Sequence, residues 1–156
     1  MTAFNLTRYA LLALVALSLG TWGVRTWRPI EVNATAGDSL PSDGLVVINF
    51  HGATRCNTCR EIGRETRDFL GKSFAGDLKN GRMTWRVINF DEPAYHHYVK
   101  DYGLVTSTVV VVRREHGHDA AWRRLDAVWD HVFEVSAMDD YLGREIAQVS
   151  ASPATP

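Results

Sequence analysis

Leu45-Val-Val-Ile-Asn-Phe-His-Gly-Ala-Thr-Arg-Cys-Asn-Thr-Cys59 is the stretch on which the reading of this chain turns. Leu45–Phe50 is an apolar run broken only by Asn49, the pattern of an inner strand covered on both faces. His51–Arg55 reads as a loop. Cys56 and Cys59, the only two cysteines in the chain, then open a helix that runs to about Leu70. Ile62, Phe69 and Leu70 face inward on it, Arg60, Glu61, Arg64 and Arg67 face outward, and Gly71 is its C-cap. A buried strand that delivers C-x-x-C to the start of a helix is the working arrangement of a dithiol redox site.

Toward the C-terminus, Lys79-Asn-Gly-Arg82 is a turn and Met83–Phe90 a second strand, with Trp85, Val87 and Asn89 on one face. Asp91-Glu-Pro-Ala94 has the acids and the proline of a helix start. Tyr95, Tyr98, Val99 and Tyr102 follow at helical spacing, and Gly103 closes the helix. Val109–Val112 is a third strand, Glu115–Asp119 a hairpin turn, and Ala120–Leu125 a fourth, shorter strand. Ser136-Ala-Met-Asp139 has the spacing of a capping box. A final helix runs from there to about Gln148, burying Met138, Tyr141, Leu142 and Ile146. The order is β-α-β-α-β-β-α, with a parallel, right-handed βαβ first and an antiparallel hairpin last. Helices on both faces make this a three-layer α/β domain over residues 44–148.

Toward the N-terminus, residues 28–43 are broken by proline, glycine, asparagine and aspartate and read as a linker. Before it, sixteen residues without a charge, Tyr9–Val24, lie between Arg8 and Arg25. As a helix they rise roughly 24 Å, slightly less than a hydrocarbon core of about 30 Å. Phe4 and Leu6 extend the segment, and Trp22 and Trp27 suit an interfacial belt. Residues 1–27 are therefore expected to be an N-terminal hydrophobic helix, either a membrane anchor or a signal segment. The domain is expected outside the cytoplasm, periplasmic if anchored and secreted if the segment is cleaved. Residues 149–156 are mostly small and read as a disordered tail.

Composition excludes several classes. With 46% apolar and 22% charged residues the chain suits a globular core rather than disorder. A net charge of −1 with no basic stripe gives no footprint for nucleic acid. Two cysteines cannot build a disulfide scaffold. No G-x-G-x-x-G is present, so no flavin or nicotinamide cofactor is expected.

Cys56 at a helix N-terminus, beside Arg55, has the surroundings that favour a thiolate. Cys59, one turn in, is placed to resolve a mixed disulfide. The rival readings are an inert bridge or two unrelated core thiols, and, second, a metal site. In the second, both thiolates and His51, His96 or His97 would hold copper or zinc. His116 and His118 flank a hairpin turn and read as solvated. Trp122 and Trp129 read as core and edge cover, or as a docking patch.

The element order with C-x-x-C at the first strand–helix junction resembles the thioredoxin fold, over about residues 44–148. Tyr102-Gly-Leu-Val-Thr-Ser-Thr-Val-Val-Val-Val112 is similar to the thioredoxin segment that leads into a strand; there Thr108, after Ser107, stands where the family usually has a cis-proline. The family's buried acid on the first strand is replaced by Asn49 or Phe50, neither of which titrates. The strings FHGATRCNTCREI, NFDEP and WRRLDAVWD resemble those of a narrower group, membrane-anchored thioredoxin-like proteins known as a nitrophenyl-compound nitroreductase subunit family. The resemblance implies a membrane-tethered thiol–disulfide oxidoreductase in which Cys56 attacks and Cys59 resolves. Its substrates would be disulfides in proteins, and a further redox partner would exchange electrons with it. The alternatives that remain are a copper- or zinc-binding module and a non-catalytic docking subunit.

Overall fold

A computed structural model describes residues 40–153. The elements are β1 (Gly44–His51), α1 (Asn57–Ser73), α2 (Ala75–Lys79), β2 (Met83–Asn89), α3 (His97–Asp101), β3 (Thr108–Glu115), β4 (His118–Leu125), α4 (Val128–His131) and α5 (Val135–Ala151). The expected N-terminal hydrophobic helix and most of the expected linker lie outside the described residues. Among the described residues, no helix is long and apolar enough to cross a membrane.

Four strands form one mixed sheet in the order β2-β1-β3-β4. β1 is parallel to β2 and antiparallel to β3, and β3 is antiparallel to β4. The two central strands are the two most apolar strands of the sheet, since a strand covered on both faces has no side for polar residues. Val46–Phe50 on β1 and Val109–Val112 on β3 are completely buried.

Alternation along these strands feeds two cores. Val47, Val109 and Val111 meet Ile62, Phe69 and Leu70 of α1 and Met138, Leu142, Ile146 and Val149 of α5. Val46, Ile48, Phe50, Val110 and Val112 meet Tyr98 and Tyr102 around α3, with Leu104 and Leu40. Each fully buried aliphatic side chain contributes about 1.5–3 kcal/mol of transfer free energy. The result is three layers, α1 and α5 against one sheet face and α3 against the other. This strand order and helix placement are those of an α/β thioredoxin-like fold.

The elements differ from the sequence expectations mainly at their ends. α1 starts at Asn57, with Cys56 as its N-cap, and runs through Gly71 to Ser73. Gly71 is therefore helical and not a C-cap; α2 follows within two residues, an element the sequence reading lacked. After Asp91 only His97–Asp101 is regular helix, because the acids and Pro93 form turns ahead of it. β3 and β4 extend further than expected, to a tight turn at His116–Gly117. Both turn residues have positive φ, 54° and 83°, as a two-residue hairpin turn requires. The capping box does not form: α5 begins at Val135, so Ser136 is already inside it. α5 continues past Gln148 to Ala151, where a tail was expected, because Val149 is buried and Ser150 Oγ donates to the Ile146 carbonyl at 2.7 Å. Val87 shares a face with Trp85 but is exposed, on edge strand β2.

The end of the expected linker is bound to the domain. Leu40 is buried. The Pro41 carbonyl accepts from Arg114 Nε at 2.7 Å, and the Ser42 carbonyl accepts from the Gly117 N–H at 2.8 Å. Asp43 accepts from the His116 N–H at 2.9 Å. Residues 40–43 thus form a strap across the β3–β4 hairpin.

Candidate active site

Register places four connections at one end of the sheet. His51 pairs with Asn89, Phe50 with Thr108, and Val109 with Leu125. The segments 52–56, 90–96, 104–107 and 126–134 therefore leave or enter the sheet at the same pole. The strap at residues 40–43 lies at the other pole, where Gly44 pairs with Arg114.

Cys56 is exposed and Cys59 is buried, at 6% of its free area. Their sulfurs are joined in a disulfide, with the Cα atoms 5.1 Å apart. Cys56 takes the extended conformation of an N-cap (φ −69°, ψ 166°), and its Sγ accepts the Cys59 N–H at 3.0 Å. The sulfur thus occupies the place of a capping oxygen, at the end of a helix where unpaired N–H groups favour an anion. No acidic residue in the first turn of α1 opposes that field. When the pair is reduced, the same N–H remains available to a Cys56 thiolate.

The loop before Cys56 is held from β2. The Ala53 N–H donates to Asp91 Oδ2 at 2.7 Å, and the Asp91 N–H donates to Asn89 Oδ1 at 3.2 Å. A Cβ on Gly52 would come within 3.0 Å of the same Asp91 oxygen. Sequence reasoning had spent Asp91 on a helix start. The signal that distinguishes the two uses is the Asn89-x-Asp91 pair at a strand end, a local side-chain-to-backbone turn.

Behind the cysteines, Asn49 faces the same core as Val47. It is completely buried, and neither its Nδ2 nor its Oδ1 has a hydrogen-bond partner. α1 crosses over it at Gly63, where a Cβ would stand 2.4 Å from Asn49 Nδ2. Arg55 does not simply point into water; its Nε is buried and also lacks a partner.

Ser107 and Thr108 are buried at the start of β3. The Thr108 hydroxyl is turned toward the end of β4, donating to the Leu125 carbonyl at 3.3 Å. The Ser107 carbonyl accepts from Trp129 Nε1 at 2.8 Å. Trp129 thus ties the β4–α5 connection to the segment before β3, a tie no sequence spacing indicates. Trp122 is half-exposed on β4 and packs edge-on against Tyr102 at 5.2 Å. Val105 (85% exposed) and Phe133 (79%) stand in two of the connections at the dithiol pole.

The histidines do not join the cysteines. His51 Nδ1 lies 2.8 Å from the Gly52 carbonyl, His96 Nδ1 lies 3.3 Å from the Phe90 carbonyl, and the His97 ring packs on Tyr98. Among the described residues no three His, Cys, Asp or Glu side chains gather as a metal site. A polar cavity of about 290 Å³ lies elsewhere, lined by Leu40, His97, Asp101, Tyr102, Arg114 and Asp119. Tyr102 donates to Asp119 Oδ2 there at 2.7 Å; burial, and then that bond, push its phenol up from the usual range.

No protein-family model matches the chain, and no curated protein does. Solved structures do. A thioredoxin of Malassezia sympodialis is 22% identical, over 70% of this chain and 78% of its own, with a TM-score of 0.43. The Trx4 domain of ERdj5 is 15% identical, over 66% and 82%, with a TM-score of 0.41. Thioredoxin f2 of Chlamydomonas reinhardtii is 16% identical, over 55% and 69%, with a TM-score of 0.38. The fold assignment rests on the strand order and register described above.

Proposed function

We propose that this protein is a thiol–disulfide oxidoreductase, with Cys56 as the attacking and Cys59 as the resolving residue. One observation carries the reading: an exposed cysteine sits as the N-cap of α1, bonded to a buried one a turn further in. The exposed member can be reached by a partner's sulfur, and the buried member is held next to it to complete the exchange. The exposed apolar side chains of Val105 and Phe133 at the same pole suit protein substrates better than small thiols. The uncharged run Tyr9–Val24 supports tethering at a membrane, with the domain outside the cytoplasm. A partner that carries electrons to or from the pair completes the scheme.

The test is a titration of the Cys56–Cys59 pair in glutathione buffers. A reversible two-electron midpoint between about −120 and −270 mV supports the reading. A pair that resists reduction well below about −300 mV sinks it. Cys59→Ser is expected to trap a mixed disulfide with a partner protein, and Cys56→Ser to abolish exchange.

A further inference from the structure

The face of α1 that carries Cys59 carries Gly63 one turn further on, and β1 passes beneath it at Asn49. The place a Gly63 Cβ would take is 2.4 Å from Asn49 Nδ2 and 3.6 Å from Arg55 Nη2. An amide and a guanidinium therefore both border the turn of α1 that follows the buried cysteine. Both amide atoms of Asn49 and the Nε of Arg55 are buried without a partner. Leaving such a group buried and unpaired is unfavourable, and more so for a charged one. Orphans of this kind in folded proteins call for a ligand, an ordered water or a catalytic use. The oxidised pair is neutral and needs no donor. Reduction places on Cys59 a charge that needs one.

We infer that Asn49 and Arg55 are positioning residues for Cys59, holding its sulfur as a thiolate whenever the disulfide is open. The inference rests on the oxidoreductase reading. A partner thiolate attacks Cys56 Sγ, and its electron pair forms the new S–S bond. The Cys56–Cys59 bond breaks, and its electron pair goes to Cys59 Sγ. There the fixed guanidinium charge and the Asn49 amide donor meet the new anion. A second partner thiolate then attacks the partner's own sulfur, and Cys56 departs as a thiolate. The partner dithiol, having released two protons to solvent, is oxidised by two electrons, and the pair is reduced by two. In the reverse direction Cys59 attacks as a thiolate already formed, so no titrating acid is needed behind the pair.

Several ionisable groups on the elements around this face have partners of their own. Glu65 on α1 pairs with Arg64 at 2.7 Å, and Asp126 pairs with Arg124 at 2.9 Å. Glu145 on α5 pairs with Arg123 at 2.7 Å, and the His131 ring packs on Tyr141. On β1, His51 is engaged with the Gly52 carbonyl.

The experiment uses the full chain with Cys56→Ser, which leaves Cys59 as its only thiol, and follows thiolate absorbance against pH. The expected midpoint lies below the ordinary thiol value of about 8.5, although burial alone would raise it. Asn49→Leu and Arg55→Met should each move it up by about one unit or more, and Arg55→Lys should restore most of the shift. A midpoint above about 8.5 that neither substitution moves overturns the inference. Should Asn49→Leu not fold, the Met and Lys variants at Arg55 still decide it. The glutathione exchange of the parent protein is read separately. Normal exchange with an unmoved midpoint overturns this inference alone, and absence of exchange overturns the oxidoreductase reading.

Discussion

Gly63→Ala should destabilise the protein, and Asn49→Ala should reverse the sign of that effect. At an ordinary position inside a helix, replacing glycine by alanine stabilises by about 1 kcal/mol. Gly63 is not such a position. The added Cβ would stand 2.4 Å from Asn49 Nδ2 and 3.4 Å from its Cγ. No real Cβ tolerates the first distance, and the short Asn49 side chain sits in a fully buried site with little room to turn away. α1 must lift from β1, or Asn49 must leave its rotamer, and overpacking of this kind costs about 1–3 kcal/mol. The net effect of Gly63→Ala is a loss of up to about 2 kcal/mol. With Asn49→Ala already in place the obstacle is gone, and the same substitution should gain up to about 1 kcal/mol. Urea unfolding of the four oxidised proteins gives the cycle directly, provided the slopes agree. A coupling of about 1–3 kcal/mol is expected. If Gly63→Ala has the same effect in both backgrounds to within about 0.5 kcal/mol, the close passage of α1 over Asn49 is refuted.

Hydrogen bonds from the His116 N–H and then Ser42 hold the Asp43 carboxyl below its usual range. Its folded value is depressed, so its support of the strap is present above the unfolded value of about 3.9 and is lost as pH falls through the folded one. Amide exchange at His116 should therefore quicken, relative to that of the β3 core, as pH falls below about 4, and Asp43→Asn should remove that dependence. Asp91→Ala removes the acceptor for the Ala53 N–H. It should cost about 1 kcal/mol and speed alkylation of reduced Cys56; an unchanged alkylation rate would show that Asp91 does not hold the loop. Trp129→Phe leaves the buried Ser107 carbonyl without its donor. A loss of about 1–3 kcal/mol in urea unfolding is expected, and a neutral result would mean water replaces the indole.

The central sheet was legible because its strands obey simple rules. Leu45–Phe50 and Val109–Val112 are too apolar to face water anywhere, and only an inner position in the sheet accepts them. The cysteine pair was legible because its spacing and its place after a strand are independent signals that agree. Element ends were less so. Gly71 looked like a stop, but nothing at that point requires a left-handed residue, and α1 runs on. Ser136 and Asp139 have capping spacing, yet the N-cap of α5 is Glu134, two residues earlier. The Asn89–Asp91 turn is local and readable, but the long-range partners of Asp91 and Trp129 are not, since Ala53 and Ser107 are 38 and 22 residues away. The neutral position on β1 was visible as a departure from the thioredoxin pattern. Its contact with Gly63 and the inward turn of Arg55 were not, since both depend on where α1 crosses the strand.

That crossing bears on whether the disulfide is only a staple. A bridge over so short a loop constrains the unfolded chain weakly, by about 2 kcal/mol on the chain-entropy model. The ground behind it holds three buried polar atoms without partners, each costing about 1–3 kcal/mol. An apolar residue at Asn49 would avoid two of them, and the neighbouring β1 positions Val47 and Ile48 show that the strand accommodates apolar residues fully buried. A staple gains nothing from such an arrangement. A pair that must open, carry charge on its buried sulfur and close again does, because the donors are in place before the charge arises. Of the four buried side-chain atoms without a partner among the described residues, three belong to Asn49 and Arg55 and the fourth is Arg113 Nε on β3; Asn49 and Arg55 both border Gly63, one helical turn on from Cys59. Conflict concentrated in that way is the pattern expected where sequence serves a site rather than stability.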